Sequence, residues 1–182
     1  FERSNLTRST LTNLRLDMIA VYELGSRMKW GQLLVDGEEL ALTDLNVLGA
    51  DDPGSDRLTA HADANDRTVG IVQTALGPML ISSQPILRSD DSGPVAAGLG
   101  IGQFLNEARL ARLQERTEVD MSWLNLEDFL ANDEREPSDI ELGLLPVRIS
   151  DAHITNCMVR ADIFGTPLLV VSAKTPRKIS AL

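Results

Sequence analysis

The sequence predicts an α+β domain in which an antiparallel sheet is covered by helices. Two observations carry this expectation. Strand-like segments fall next to one another along the chain with tight turns between them, and the helix-like segments are short and interspersed. The order does not follow the strand-and-helix alternation of a Rossmann-like sheet.

Residues 5–16 place Leu6, Leu11 and Leu14 near helical spacing with polar residues between, which predicts a short helix. The apolar run 18–24, a Gly25-Ser26 turn and residues 28–35 then read as a hairpin. Residues 36–65 are broken by polar clusters, including Asp51-Asp52-Pro53-Gly54, so short helices such as 56–62 are expected there, joined by loops. Residues 67–76, a Gly77-Pro78 turn, residues 79–87, a turn at 90–94 and residues 95–105 form three strands with tight connections, an antiparallel meander. A helix is expected over 106–114, from its Ala/Leu/Arg/Glu composition and the pair Leu110 and Leu113. Residues 132–139 read as a charged surface loop. Residues 147–150, 154–163 and 167–172 read as strands, the last two joined by a Phe164-Gly165-Thr166 turn.

Composition bounds the function. The 182 residues are 43% hydrophobic, enough for one ordinary core, so a single domain over residues 1–182 is expected. Seventeen Lys and Arg against 27 acidic residues give a formal charge of −10, and no face is basic enough to hold a nucleic-acid backbone. Aromatic residues are only 4%, so stacking platforms for bases or sugars would have to be built from very few rings. The lone cysteine, Cys157, excludes an intrachain disulfide framework. No apolar run of about 18 residues occurs and the first residues lack the pattern of a secretory signal. The chain is expected to be soluble as it stands, with any membrane segment lying outside it.

No catalytic, metal or cofactor site is expected. The two histidines, His61 and His153, have no metal-ligand spacing, and no Gly-x-Ser-x-Gly or His-Glu-x-x-His occurs. Asp51-Asp52 and Asp90-Asp91 adjoin Pro or Gly and are explained by turn chemistry. Cys157 lies in an apolar strand and reads as buried filler, and Asn5-Leu6-Thr7 is a chance-level glycosylation sequon. In 98–102, Gly98, Gly100 and Gly102 lie inside a strand pattern rather than a dinucleotide loop. With Ala96 they leave one face of that strand nearly bare, open to close approach by a packed helix or, less readily, a ligand.

The segments Asp66-Arg67-Thr68-Val69-Gly70-Ile71-Val72, residues 77–90 from Gly77-Pro78-Met79 to Arg88-Ser89-Asp90, and Ser92-Gly93-Pro94 together resemble the core of the fourth CHASE family, extracytoplasmic sensory domains of bacterial and archaeal receptors. Residues 13–22 look like that family's entry into its first strand. Asp162-Ile163-Phe164-Gly165-Thr166-Pro167, with Pro176-Arg177, looks like its closing hairpin. The resemblance spans nearly the whole chain. Two departures stand out: the family's membrane-proximal helix would precede Phe1, and its usual Gly-Arg after the third meander strand is Gly102-Gln103 here, without the positive charge an anionic ligand would use.

The resemblance implies a PAS-like domain on the periplasmic face of the inner membrane, anchored by flanking helices. It further implies a cytoplasmic diguanylate cyclase (cyclic di-GMP), phosphodiesterase or histidine kinase output. The expected partners are a small-molecule ligand or envelope signal and a second copy of the chain. The domain itself is expected not to be an enzyme. The expected ligand-binding residues are Ser83 and Gln103 as polar anchors with Tyr22 and Trp30 as walls, in a space between sheet and helices. The rival readings are a protein-interaction module without a small-molecule pocket and a soluble hydrolase with an unrecognised site.

Overall fold

A computed structural model describes residues 8–23, 28–42, 58–87, 94–131, 142–145, 147–150 and 152–177. The chain divides into two compact units, Phe1–Leu105 and Asn106–Leu182. Each is built on one antiparallel sheet.

The first unit opens with α1 (Arg8–Leu14), which buries one residue, Leu11. The helix ends without glycine: Arg15 takes a left-handed φ of 56°, and the Leu16 N–H reaches back to the Leu11 carbonyl at 2.9 Å. The sheet follows as β1 (Met18–Glu23), β2 (Met28–Val35), β3 (Glu38–Leu40), β4 (Thr68–Thr74), β5 (Gly77–Ile86) and β6 (Ala97–Phe104), in the spatial order β3-β2-β1-β6-β5-β4. Asp36 and Gly37 both have positive φ, 51° and 85°, the conformation that closes a tight hairpin between β2 and β3. The expected strand pairs and meander are present. The β4–β5 turn lies at Ala75 and Leu76, however, because the Thr74 hydroxyl donates to the Gly77 carbonyl at 2.7 Å and accepts the Leu76 N–H at 3.1 Å, leaving Gly77-Pro78 inside β5.

One face of this sheet is the unit's core. Met18, Ala20, Tyr22, Leu33, Val72, Met79, Ile81 and Ser83 are all buried on it, together with Gly98, Gly100 and Gly102 of β6. Among the described residues, the helix packing expected on the bare glycine face is seen only at Gly98, where a Cβ would lie 3.5 Å from the carbonyl of the helical Thr59, and the rest of the stripe is filled by side chains from the strands on either side. A Cβ on Gly102 would collide with the Met79 sulfur and lie 3.2 Å from Met18, one on Gly100 would lie 3.3 Å from the Tyr22 ring, and one on Gly98 would meet the His61 ring at 3.4 Å. Of the helix expected over 56–62, Leu58 and Thr59 are helical, and residues 60–62 are not. On the other face Leu11 of α1 packs with Ile19 and Leu34, and Leu16, Trp30, Leu99 and Ile101 border that cluster.

The second unit begins with α2 (Glu107–Thr117), capped by the Asn106 side chain accepting the Arg109 N–H at 3.0 Å. Then come β7 (Asp120–Asn125), α3 (Leu126–Ala131), β8 (Gly143–Leu144), β9 (Arg148–Ile149), β10 (His153–Ala161) and β11 (Pro167–Pro176). The sheet order is β7-β11-β10-β8, with β9 also pairing β10. In the β10–β11 turn, Asp162 accepts the N–H groups of Phe164 and Thr166 at 2.9 and 2.8 Å, and Gly165 takes a positive φ, which explains the legible turn. Phe129 of α3 packs with Leu145, Cys157, Val159 and Val170 to form the core, so Cys157 is buried as expected.

Among the described residues the structure is thus an antiparallel, sheet-dominated fold with few helices. Strands β3, β7 and β8 and helix α3 were not anticipated. The turns assigned to Gly25-Ser26 and 90–93, the Asp51–Gly54 break, the loop 132–139 and the sequon lie outside the described residues. Because the space over Gly102 is already filled by Met79 and Met18, Gly102→Val is expected to destabilise the fold by about 2 kcal/mol through overpacking. Urea unfolding of the two proteins measures this.

Candidate functional site

The four expected site residues do not converge. Tyr22 and Ser83 face the buried core of the first unit, whereas Trp30 and Gln103 lie on the opposite face of the same sheet. Gln103 donates from its amide nitrogen to the Arg15 carbonyl at 2.8 Å, so its polar end holds the close of α1. Trp30 borders the Leu11 cluster under that helix. The expectation of one pocket walled by Tyr22 and Trp30 fails because the two rings sit on opposite sides of a single sheet.

What the sequence did not reveal is that Ser83 meets His61. The Ser83 hydroxyl lies 3.0 Å from His61 Nε2, and His61 Nδ1 lies 3.9 Å from the Asp66 carboxylate. The order resembles a nucleophile, base and orienting acid, and the proton positions oppose that use. The Ser83 hydroxyl also makes a short contact with the Leu58 carbonyl, which can only accept, so the serine proton is directed there. The imidazole must then donate its Nε2–H to the serine oxygen, and a nitrogen that already carries a proton cannot take the serine's. Ser83 is 0% exposed, and His61 Nδ1 has no hydrogen-bond partner. These residues form an internal clasp tying the segment before β4 to β5, over the bare face of Gly98.

Beside this clasp, the Tyr22 hydroxyl is buried with no hydrogen-bond partner, and burial pushes its phenol well above the ordinary value of 10.0. Among the described residues no group of three His, Cys, Asp or Glu could hold a metal ion.

Two hollows remain. In the second unit, a hollow of about 220 Å³ is walled by Leu124, Phe129, Cys157 and Val170, with Arg148, Thr155 and Ser172 supplying polar atoms. It lies on the sheet face that α3 covers. In the first unit, a more open groove of about 290 Å³ runs along the outer face past Leu16, Val69, Leu80, Ser82, Ile101 and Gln103. Of the expected residues, only Gln103 lines either.

The CHASE4 domain family model matches residues 1–124, and the chain belongs to that family. It is also 28% identical over 180 residues to the methanogenesis regulatory histidine kinase FilI of Methanothrix harundinacea (strain 6Ac). That alignment covers 97% of this chain and 20% of the kinase, so the chain spans about one fifth of this relative's length. No helix among the described residues is long and apolar enough to cross a membrane.

The clasp and the orphaned phenol predict opposite responses to truncation. Ser83→Ala strands the Leu58 carbonyl and the His61 N–H in the core and is expected to cost about 1–3 kcal/mol in urea unfolding. Tyr22→Phe removes a hydroxyl that has no partner and is expected to stabilise by about 1 kcal/mol. Because the folded phenol titrates above its unfolded value, this group leaves the stability of the fold independent of pH below about 10.0 and lowers it as pH rises from there through the folded value. Tyr22 is the only tyrosine, so the phenolate absorbance of the native protein is expected to appear later than that of the urea-unfolded chain.

Proposed function

We propose that this chain is the extracytoplasmic, non-catalytic sensory domain of a membrane-anchored receptor, PAS-like in its first unit, with both units serving one sensing module and a cytoplasmic enzyme as its output. The observation that carries the reading is the family match, and the hydrogen bonding of Ser83, whose proton is directed to the Leu58 carbonyl, agrees with it. The similarity to a histidine kinase favours that output over a cyclase or phosphodiesterase. The insertion of the first hairpin beside the last strand of the meander supports the PAS-like description.

The place proposed for a small-molecule signal is the hollow of the second unit. It combines apolar walls with the Thr155 hydroxyl, the Ser172 hydroxyl and the Arg148 guanidinium, a lining suited to a small molecule with one apolar end and one accepting end. A ligand held there would bias the receptor only by the difference in its affinity for the signalling states, with the shift passed on through a dimer.

A thermal-shift screen of small metabolites is expected to yield a stabilising compound whose effect is lost in Cys157→Phe, which fills the hollow, and reduced in Thr155→Val. A compound that stabilises all three proteins equally would remove the hollow from the proposal. Location is tested separately in cells making the whole receptor. A cysteine introduced at the exposed position Phe164 is expected to react with a membrane-impermeant thiol reagent from outside the cytoplasm, and protection in intact cells with reaction after lysis would overturn the extracytoplasmic assignment.

A further inference from the structure

Half of the first unit's sheet is without charge. No Asp, Glu, Lys or Arg occurs in residues 68–87 or 94–105, which hold all of β4, β5 and β6, although such residues make up 24% of the chain. A long neutral stretch is expected where both faces of a strand are buried, but β4 is the outer strand and pairs only with β5 among the described residues. Natural sheets guard such an edge with charge, proline, a bulge or shortness. The opposite edge is guarded, since β3 has three residues and begins Glu38-Glu39. Strand β4 has none of these devices: it is seven residues long, Thr-Val-Gly-Ile-Val-Gln-Thr, and pairs with β5 without a register break. Val69 on it is 73% exposed, and Leu80 on the neighbouring strand is 41% exposed, both lining the outer groove.

We infer that β4 pairs with β4 of a second copy of this chain, antiparallel about a two-fold axis at Ile71, so that two six-stranded sheets become one. A strand laid antiparallel to itself is self-complementary, which an isologous dimer requires. Only the register centred on Ile71 overlaps all of residues 68–74. It sets Thr68 opposite the partner's Thr74 and Gly70 opposite the partner's Val72, with the same sheet face forward in both copies. The charge argument selects a second copy as the occupant. Each chain carries −10, so most of its surface resists a like-charged neighbour, and the uncharged half-sheet is where two copies can meet without opposing or desolvating charges. This gives the proposed receptor dimer its contact, and its failure would leave ligand sensing untouched.

Sedimentation of the full 182-residue chain from about 1 to about 100 μM tests the inference. The wild type is expected to dimerise. Ile71→Lys, which sets like charges directly opposite across the axis, is expected to weaken the dimer by about tenfold or more, with an unchanged circular dichroism spectrum. Val69→Lys, at a position too exposed to disturb the monomer, is expected to weaken it as well, and Glu38→Lys on the far edge to leave it intact. Oxidation of Ile71→Cys is expected to give a covalent dimer, because paired residues in a ladder lie within disulfide reach, while the wild type with its buried Cys157 gives none. A wild type that stays monomeric throughout, a dimer indifferent to both lysine variants, or an Ile71→Cys protein that does not cross-link would overturn it.

Discussion

The first unit depends on one strand that contributes almost no side chains to the core it lies in. On its buried face β6 offers Gly98, Gly100 and Gly102, and the volume they leave is taken by Tyr22, Met18 and Met79 from the adjacent strands and by His61 from the segment before β4. Long, unbranched or planar side chains suit this role because they can lie flat over a backbone that has nothing projecting from it. The clasp of Ser83, His61 and Leu58 lies over the same face, with the imidazole set against Gly98, where a Cβ would meet it at 3.4 Å.

That filling also separates what holds the fold from what is free to respond. The face carrying Tyr22 and Ser83 is occupied by its own side chains, and its polar atoms are either engaged with one another or, like the Tyr22 hydroxyl, stranded where burial suppresses ionisation. The space left for another molecule lies elsewhere, in the hollow under α3 and in the groove on the outer face. In the proposed receptor, recognition in the second unit would engage Thr155 beside Phe129, Cys157 and Val170, which also form that unit's core, and would leave the filled face of the first unit untouched.

The meander, the first hairpin and the closing hairpin were legible because each is a local event: apolar runs of strand length separated by residues that favour a turn. The charged strand β3, Glu38-Glu39-Leu40, has no apolar run to announce it, and β7 gains its place by pairing with β11, more than forty positions on. The site was less legible for a related reason. Ser83 was expected as a polar anchor for a ligand; its partner in the structure, His61, is 22 residues away and carries no local mark. Tyr22 and Trp30 sit near one another in sequence, and only the register of β1 on β2, which sets Val21 and not Tyr22 opposite Trp30, decides that they point to opposite faces. Resemblance to a family recovered what local patterns could not, the family to which the chain belongs, while leaving contacts such as the clasp to be found in three dimensions.

The junction between β1 and β6 has a consequence for how the first unit assembles. Strands β1 to β3 are consecutive, and so are β4 to β6, so each ribbon of three can zip up from neighbouring residues. The seam between the ribbons joins residues as distant as Met18 and Gly102, and closing it carries the loop-closure entropy that neither ribbon meets alone. Closing that seam would bring Met18 and Tyr22 over the glycine strand and join the two ribbons' buried faces into one core.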